Sequence, residues 1–200
     1  GLSRQIMNFV IEKYMNYVDF FFLYSNESTI EFYRKFGFRE IKENIFLAKS
    51  NIIKSKSAAR KLDISLDTDY LLLQNILNNR WALTRIFGAE KYAFITMWHI
   101  LNLYRDKLYY LEKERIVVIK EEENNTLCII DVLFSESIEL QSLLPKIIVS
   151  DSIQCVKYYF PPDIVKFSCD KILQDETGLF ILGDIDLGKK PFRFSNTAIT

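Results

Sequence analysis

The chain has 200 residues, one or two domains at the usual ~100–200 residues each. It is 49% hydrophobic and 26% charged, and its 26 basic and 26 acidic residues cancel to a formal charge of zero. That excludes a basic nucleic-acid-coating protein and an acidic disordered chain, while 6 Gly and 4 Pro exclude collagen-like and Pro-rich classes.

No run approaches the ~18 apolar residues of a spanning helix. Gly1-Leu2-Ser3-Arg4-Gln5 lacks the basic, apolar and small-residue regions of a signal peptide. Neither a membrane nor a nucleic-acid partner is expected. Cys128, Cys155 and Cys169 lie in no metal spacing, and a sparse, odd count suits a reducing cytoplasm. Each reads as a small buried apolar residue.

Apolar residues at helical spacing, Ile6, Phe9, Val10 and Tyr14, predict a helix over 6–17. The aromatic run 18–24 predicts a buried strand covered on both faces. Ser25-Asn26 ends it, a short helix follows from Glu27 to Phe36, and Gly37 stands where a left-handed residue closes a helix. Residues 38–41 and 45–47 predict one or two strands. Residues 49–61, rich in Lys, Ser and Asn, read as a linker or exposed loop.

A helix is expected from Asp67 to Asn79, and one or two more between Trp81 and Asn102, broken near Gly88. The period then changes to strands: 108–111, 116–119 and 127–132, separated by turn-like charged and Asn residues. A helix over 138–149 carries Pro145, which predicts a kink or an early end. Strands at 155–160 and 178–183 follow, and the tail to Thr200 is loop-like. Helix 6–17 with strand 18–24 is weakly echoed by helix 138–149 with strand 154–160.

The segment from Asn26 to Phe38 carries chemical content. A strand delivers Asn26 to its carboxyl end, where α/β sheets bind ligands. Tyr33, seven residues on and nearly two helical turns away, faces the same edge. Asn26, Ile30, Tyr33, Gly37 and Phe38 together resemble the GNAT acetyltransferase superfamily, with Thr29 in place of the usual Ala. Gly1, Leu2 and Ser3 resemble the last three positions of the family's pyrophosphate loop, with Ser3 replacing Gly or Ala. Amides at a helix start bind anions, so the resemblance assigns Gly1, Leu2, Ser3, Arg4 and Asn26 to coenzyme A. It makes Tyr33 the general acid for the leaving thiolate. In this setting Tyr33 also fits a half-buried residue packed under Phe38, Asn26 a turn former, and Ser3 and Arg4 a helix cap.

The resemblance implies an α+β fold, a mixed β-sheet with flanking helices. Residues 1–50 would be the C-terminal half of a first domain lacking its N-terminal half. Residues 51–79 would be a linker and helix, and 80–200 a degenerate second GNAT-like domain. Glu136 and Glu139 at its helix start would repel a pyrophosphate, so no cofactor is expected there. The implied function is acetyl transfer from acetyl-coenzyme A to a small-molecule or peptide amine, inactive or incomplete in this chain alone. The alternative is a non-catalytic binding or assembly module.

The expected bare edge of strand 18–24 requires a partner. Strand 154–160 would supply it within one continuous sheet; otherwise a homodimer or a missing N-terminal half in trans would. His99, the single histidine, supports neither a zinc site nor a Ser-His-Asp triad.

Overall fold

The computed structural model describes residues 1–50, 52–55, 59–150, 152–187 and 190–199. Contacts divide the chain into two units, 1–43 with 174–190, and 44–173 with 191–200. A later segment, 174–190, thus belongs with 1–43 in the first unit.

The first unit begins with α1 (Leu2–Tyr14) and β1 (Phe20–Tyr24). A 3-10 turn over Glu27–Thr29 leads into α2 (Ile30–Arg34). Gly37 follows with φ +87°, the left-handed closure that its position predicts. β2 (Arg39–Glu40) completes the early part. The sheet order is β1-β10-β2, in which β10 is Leu179–Gly183, antiparallel to both neighbours. Leu179, Phe180 and Ile181 are buried, as is Phe38.

Two expectations for strand 18–24 are corrected. It is not covered on both faces: no β1 residue is buried, and Phe22 is 42% exposed. Nor does strand 154–160 lie beside it, because β1 pairs with β10 instead. The chain therefore forms two sheets rather than one continuous sheet.

The second unit holds a seven-stranded mixed sheet, ordered β4-β5-β6-β7-β8-β3-β9. Its strands are β3 (Glu43–Lys49), β4 (Arg60–Lys61), β5 (Leu108–Leu111), β6 (Ile116–Glu123), β7 (Thr126–Leu133), β8 (Cys155–Tyr158) and β9 (Lys171–Asp175). The expected meander is β5-β6-β7, joined by antiparallel pairings. Asn124 and Asn125 turn β6 into β7 with φ of +47° and +62°, as a two-residue primed hairpin turn requires. β7 and β8 are parallel, so their connection needs a crossover. α5 (Leu140–Ile147) provides it, retaining Pro145 inside the helix. β8 is occupied on both edges, by β7 and β3, and has none left for β1.

Helices cover both faces of this sheet. Leu140, Leu143, Leu144 and Ile147 of α5 pack with Ile116, Val118, Leu127, Ile129 and Val132. Leu73 and Leu77 of α3 (Asp67–Asn79) pack on the other face with Val117, Ile119, Ile130 and Leu133. Ile100 lies there too, in the π-helical turn Ile100–Tyr104 that continues α4 (Ala93–His99).

Three further expectations change. The helix expected to start near Trp81 starts at Ala93, and residues 81–92 have no regular structure. Their backbone is tied to other segments instead, such as Trp81 N–H to the Phe134 carbonyl at 2.8 Å. The proposed linker 49–61 contributes β4, which pairs Arg60 and Lys61 with Tyr110 and Tyr109; residues 51 and 56–58 of that stretch lie outside the described residues. The tail is not merely a surface loop, because Phe192, Phe194, Ser195, Thr197 and Ala198 are buried. Among the described residues no helix is long and apolar enough to cross a membrane.

Candidate functional site

The segment from Asn26 to Phe38 folds as strand, turn and helix. Where β1 ends, the Ser25 N–H donates to the Gly178 carbonyl at 2.8 Å. A Cβ at Gly178 would lie 2.2 Å from the Ser25 carbonyl oxygen, and φ there is +76°, so glycine is required for this approach. Asn26 is extended, with φ −87° and ψ 165°. Its carbonyl accepts the Thr29 N–H at 3.0 Å. Its Oδ1 accepts the Ser28 hydroxyl at 2.7 Å and the Thr29 hydroxyl at 3.0 Å. The carboxamide oxygen is thus committed to the turn, and the Nδ2 donors remain for a ligand.

Tyr33, in α2, is half-buried. Its ring meets Phe32 edge-on at 5.3 Å and Phe38 at 6.0 Å. These contacts fix the ring without engaging the phenol. Among the described residues its hydroxyl has no hydrogen-bond partner, so the proton is available to a ligand.

Gly1 caps α1, and Leu2, Ser3 and Arg4 form its first turn. The first intrahelical bonds run from Arg4 and Gln5 N–H to the Gly1 carbonyl, at 3.2 and 3.4 Å. The amides of Leu2 and Ser3 precede them and have no intrahelical acceptor. No acidic side chain lies in this turn, all four residues are exposed, and a Cβ on Gly1 would meet nothing within 4 Å. Among the described residues no hydrogen bond, ion pair or ring contact joins Gly1–Arg4 to Asn26 or Tyr33.

A polar cluster in the second unit lies outside the sequence reading. The Asp131 carboxylate accepts Arg80 Nη2 at 2.9 Å and Nη1 at 3.1 Å. Their side chains are 0% and 4% exposed. The Thr197 hydroxyl donates to the same carboxylate, and the Arg80 guanidinium lies 4.6 Å from the centre of the Tyr92 ring. Burial raises the Tyr92 phenol to about 12, aided by Asp131 and opposed by Arg80 and Ser195. His99 is buried in the same unit, its Nε2 2.6 Å from the Ile199 carbonyl.

A β-bulge aims Asp131. Across the β6–β7 ladder Ile119 faces Asp131 but Lys120 faces Ile129, so Ile130 is an extra residue. Asp131 consequently shares the face of Ile119, under α3. The one signal in the sequence was a charged residue inside the apolar run 127–133.

Lys120 is also buried, its ammonium 2.6 Å from Glu122 and 4.0 Å from the Tyr109 ring centre. Burial pushes its pKa down against the pull of Glu122. Glu122 in turn accepts the Val149 and Ser150 N–H groups, which makes this pair a tie to the end of α5. All three cysteines are free, and burial pushes the Cys128 and Cys155 thiols up. Among the described residues no cluster of His, Cys, Asp and Glu suits a metal.

No protein-family model matches the chain, and no curated protein matches it. Solved structures do. A conserved Enterococcus faecalis V583 protein of unknown function, a probable N-acyltransferase, superposes with a TM-score of 0.50 at 13% identity over 90% of this chain. The GCN5-related N-acetyltransferase of Kribbella flavida gives a TM-score of 0.48 at 15% identity, with 88% of this chain covered. The chain spans about half the length of each, 49% and 46%. The fold is GNAT-like: an α+β arrangement of mixed sheet and flanking helices.

Proposed function

We propose that this chain belongs to an acyltransferase that moves an acetyl group from acetyl-coenzyme A to a small-molecule or peptide amine. The observation that carries this reading is the first unit's strand–Asn26–helix–Tyr33–Gly37 arrangement, within a GNAT-like fold. Acetyl-coenzyme A supplies an activated thioester. The chain's own residues bind and move a proton. The Leu2 and Ser3 amides and the Arg4 side chain would hold the pyrophosphate at the start of α1, and Asn26 Nδ2 would donate to the pantetheine arm. Tyr33 Oη would give its proton to the sulfur as the amine displaces it. The amine forms the new C–N bond, the C–S bond breaks, and the amine loses a proton to water. The three free thiols suit a reducing cytoplasm as the place of this reaction.

The test is release of coenzyme A thiol from acetyl-coenzyme A with a panel of primary amines. Tyr33→Phe is expected to lower turnover roughly 10²–10⁴-fold, the usual span for a general acid, with folding unchanged. An equal rate for Tyr33→Phe at every pH would leave Tyr33 as packing against Phe38 and remove it from the chemistry.

A further inference from the structure

Glu43 closes the first unit's leading segment and is only 1% exposed. A buried carboxylate is costly unless hydrogen bonds replace its water. Two hydroxyl groups do so on one oxygen, Oε2. The Tyr24 phenol donates to it at 3.1 Å, and the Thr177 hydroxyl donates to it as well. The two donors come from segments far apart in the chain.

Their places in the chain matter. Tyr24 precedes Ser25 and Thr177 precedes Gly178, and the Ser25 N–H donates to the Gly178 carbonyl at 2.8 Å. One carboxylate oxygen therefore gathers both segments that meet where β1 ends. Asn26 is the next residue, and its side chain is exposed. On its far side Asn26 is held by its own turn, through Ser28 and Thr29. On its near side the β1–β10 ladder stops at Tyr24, paired with Leu179, two residues short of Asn26. Beyond the ladder, the Ser25–Gly178 bond and the Glu43 carboxylate set the path of the chain.

A neighbouring tie has a different weight. Lys42 and Glu176 form an ion pair at 2.8 Å, with side chains 47% and 72% exposed. Exposed pairs of this kind contribute little. The buried carboxylate next to it is the stronger constraint, and a binding group works only when its supports hold it within about 0.5 Å of its place.

We propose that Glu43 is a positioning residue: by drawing Tyr24 and Thr177 onto one oxygen, it sets the direction in which Asn26 presents its carboxamide to coenzyme A. It acts through Asn26 and touches no reacting atom. The inference rests on the acyl-transfer reading. The role needs an acceptor oxygen at residue 43 rather than a charge.

Calorimetric titration of the whole chain with acetyl-coenzyme A tests it. Glu43→Ala and Asn26→Ala should each weaken binding roughly tenfold. Groups that act as one unit are not additive, so the double variant should bind no more weakly than Asn26→Ala. Arg4→Gln, at the start of α1, should add to Glu43→Ala in full, which a general loosening of the unit would not produce. Glu43→Gln keeps a carbonyl oxygen for both hydroxyls and should restore most of the affinity. Tyr24→Phe keeps the ring and removes one donor. It should weaken binding roughly threefold, one hydrogen bond's worth, and have no effect once Asn26 is alanine. That variant keeps the test decisive even if Glu43→Ala does not fold.

The proposal is overturned if Asn26→Ala weakens binding while Glu43→Ala and Tyr24→Phe do not, if their effects add to that of Asn26→Ala, or if Glu43→Gln binds as poorly as Glu43→Ala. If Asn26→Ala itself leaves binding unchanged, the assignment of Asn26 to coenzyme A fails first and this inference falls with it.

Discussion

Asp131 grips both terminal nitrogens of Arg80 from a strand whose alternation alone would have turned it to the opposite face. The extra residue, Ile130, reverses that alternation between Ile129 and Asp131. The bulge thus converts a sheet position into the anchor for two segments, the one that begins at Arg80 and the one that carries Thr197.

Asp131→Ala should cost about 3–5 kcal/mol, because it strands a guanidinium whose side chain is 4% exposed. Replacing both partners together, Arg80→Met with Asp131→Leu, should cost less than Asp131→Ala alone, since no buried charge is left. Urea unfolding of the wild type and both variants measures this. A double variant less stable than the single would show that the pair contributes more than it costs to bury.

Gly178→Ala should destabilise the first unit by roughly 1–3 kcal/mol, the usual range for backbone strain. A methyl group there meets the Ser25 carbonyl oxygen at 2.2 Å, and the φ of +76° disfavours any side chain. Amide exchange should rise first across β1 and β10, whose ladder this contact continues. Unchanged protection of Phe20–Tyr24 would mean that the approach at Ser25 does not hold the sheet.

Stability should depend on pH through Asp69. Arg60 donates two hydrogen bonds to it, at 2.7 and 2.8 Å. This holds the carboxyl below its ordinary value of 3.8 despite desolvation, and the Asp63 N–H adds to the effect. A carboxyl depressed in the folded state contributes stability in full above its unfolded value, and loses it as pH falls through the folded one. Arg60→Gln should therefore cost stability at neutral pH, by an amount that shrinks as pH falls below about 4. Denaturant titrations of both proteins across that range decide it, and a gap that stays constant down to strong acid would contradict the assignment.

The outer edge of β1 has no strand beside it among the described residues. Phe20–Tyr24 contains no charge and no proline, the usual protections of an edge strand. The isolated chain should therefore self-associate, as a homodimer or larger, and Phe22→Lys should shift it toward monomer. Sedimentation velocity over a wide concentration range tests this. A monodisperse wild-type monomer would show that the edge needs no cover.

Local pattern exposed much of this fold. The meander 108–133 carries its own turn signals, α3 was expected over the span it occupies, and the left-handed Gly37 follows from the helix it closes. The missing parts depend on distance along the chain. Nothing within residues 18–24 shows that their partner is Leu179–Gly183, and a run of aromatics looks the same in an edge strand as in a central one. Residues 81–92 contain enough Leu, Ile and Phe to suggest a helix, yet Leu83 and Phe87 are buried in an irregular path. The spacing of Asn26 and Tyr33 is local, set by the end of β1 and the turn into α2. Asp131 was not, because its orientation comes from one extra residue opposite another strand.

The most direct test of the acyl-transfer reading is calorimetric titration of the chain with acetyl-coenzyme A. Binding is expected, with the Leu2 and Ser3 amides holding the pyrophosphate. Ser3→Glu, which places a like charge against the pyrophosphate, should abolish it. An absence of binding, or binding that Ser3→Glu leaves unchanged, would contradict the assignment of this helix start to coenzyme A.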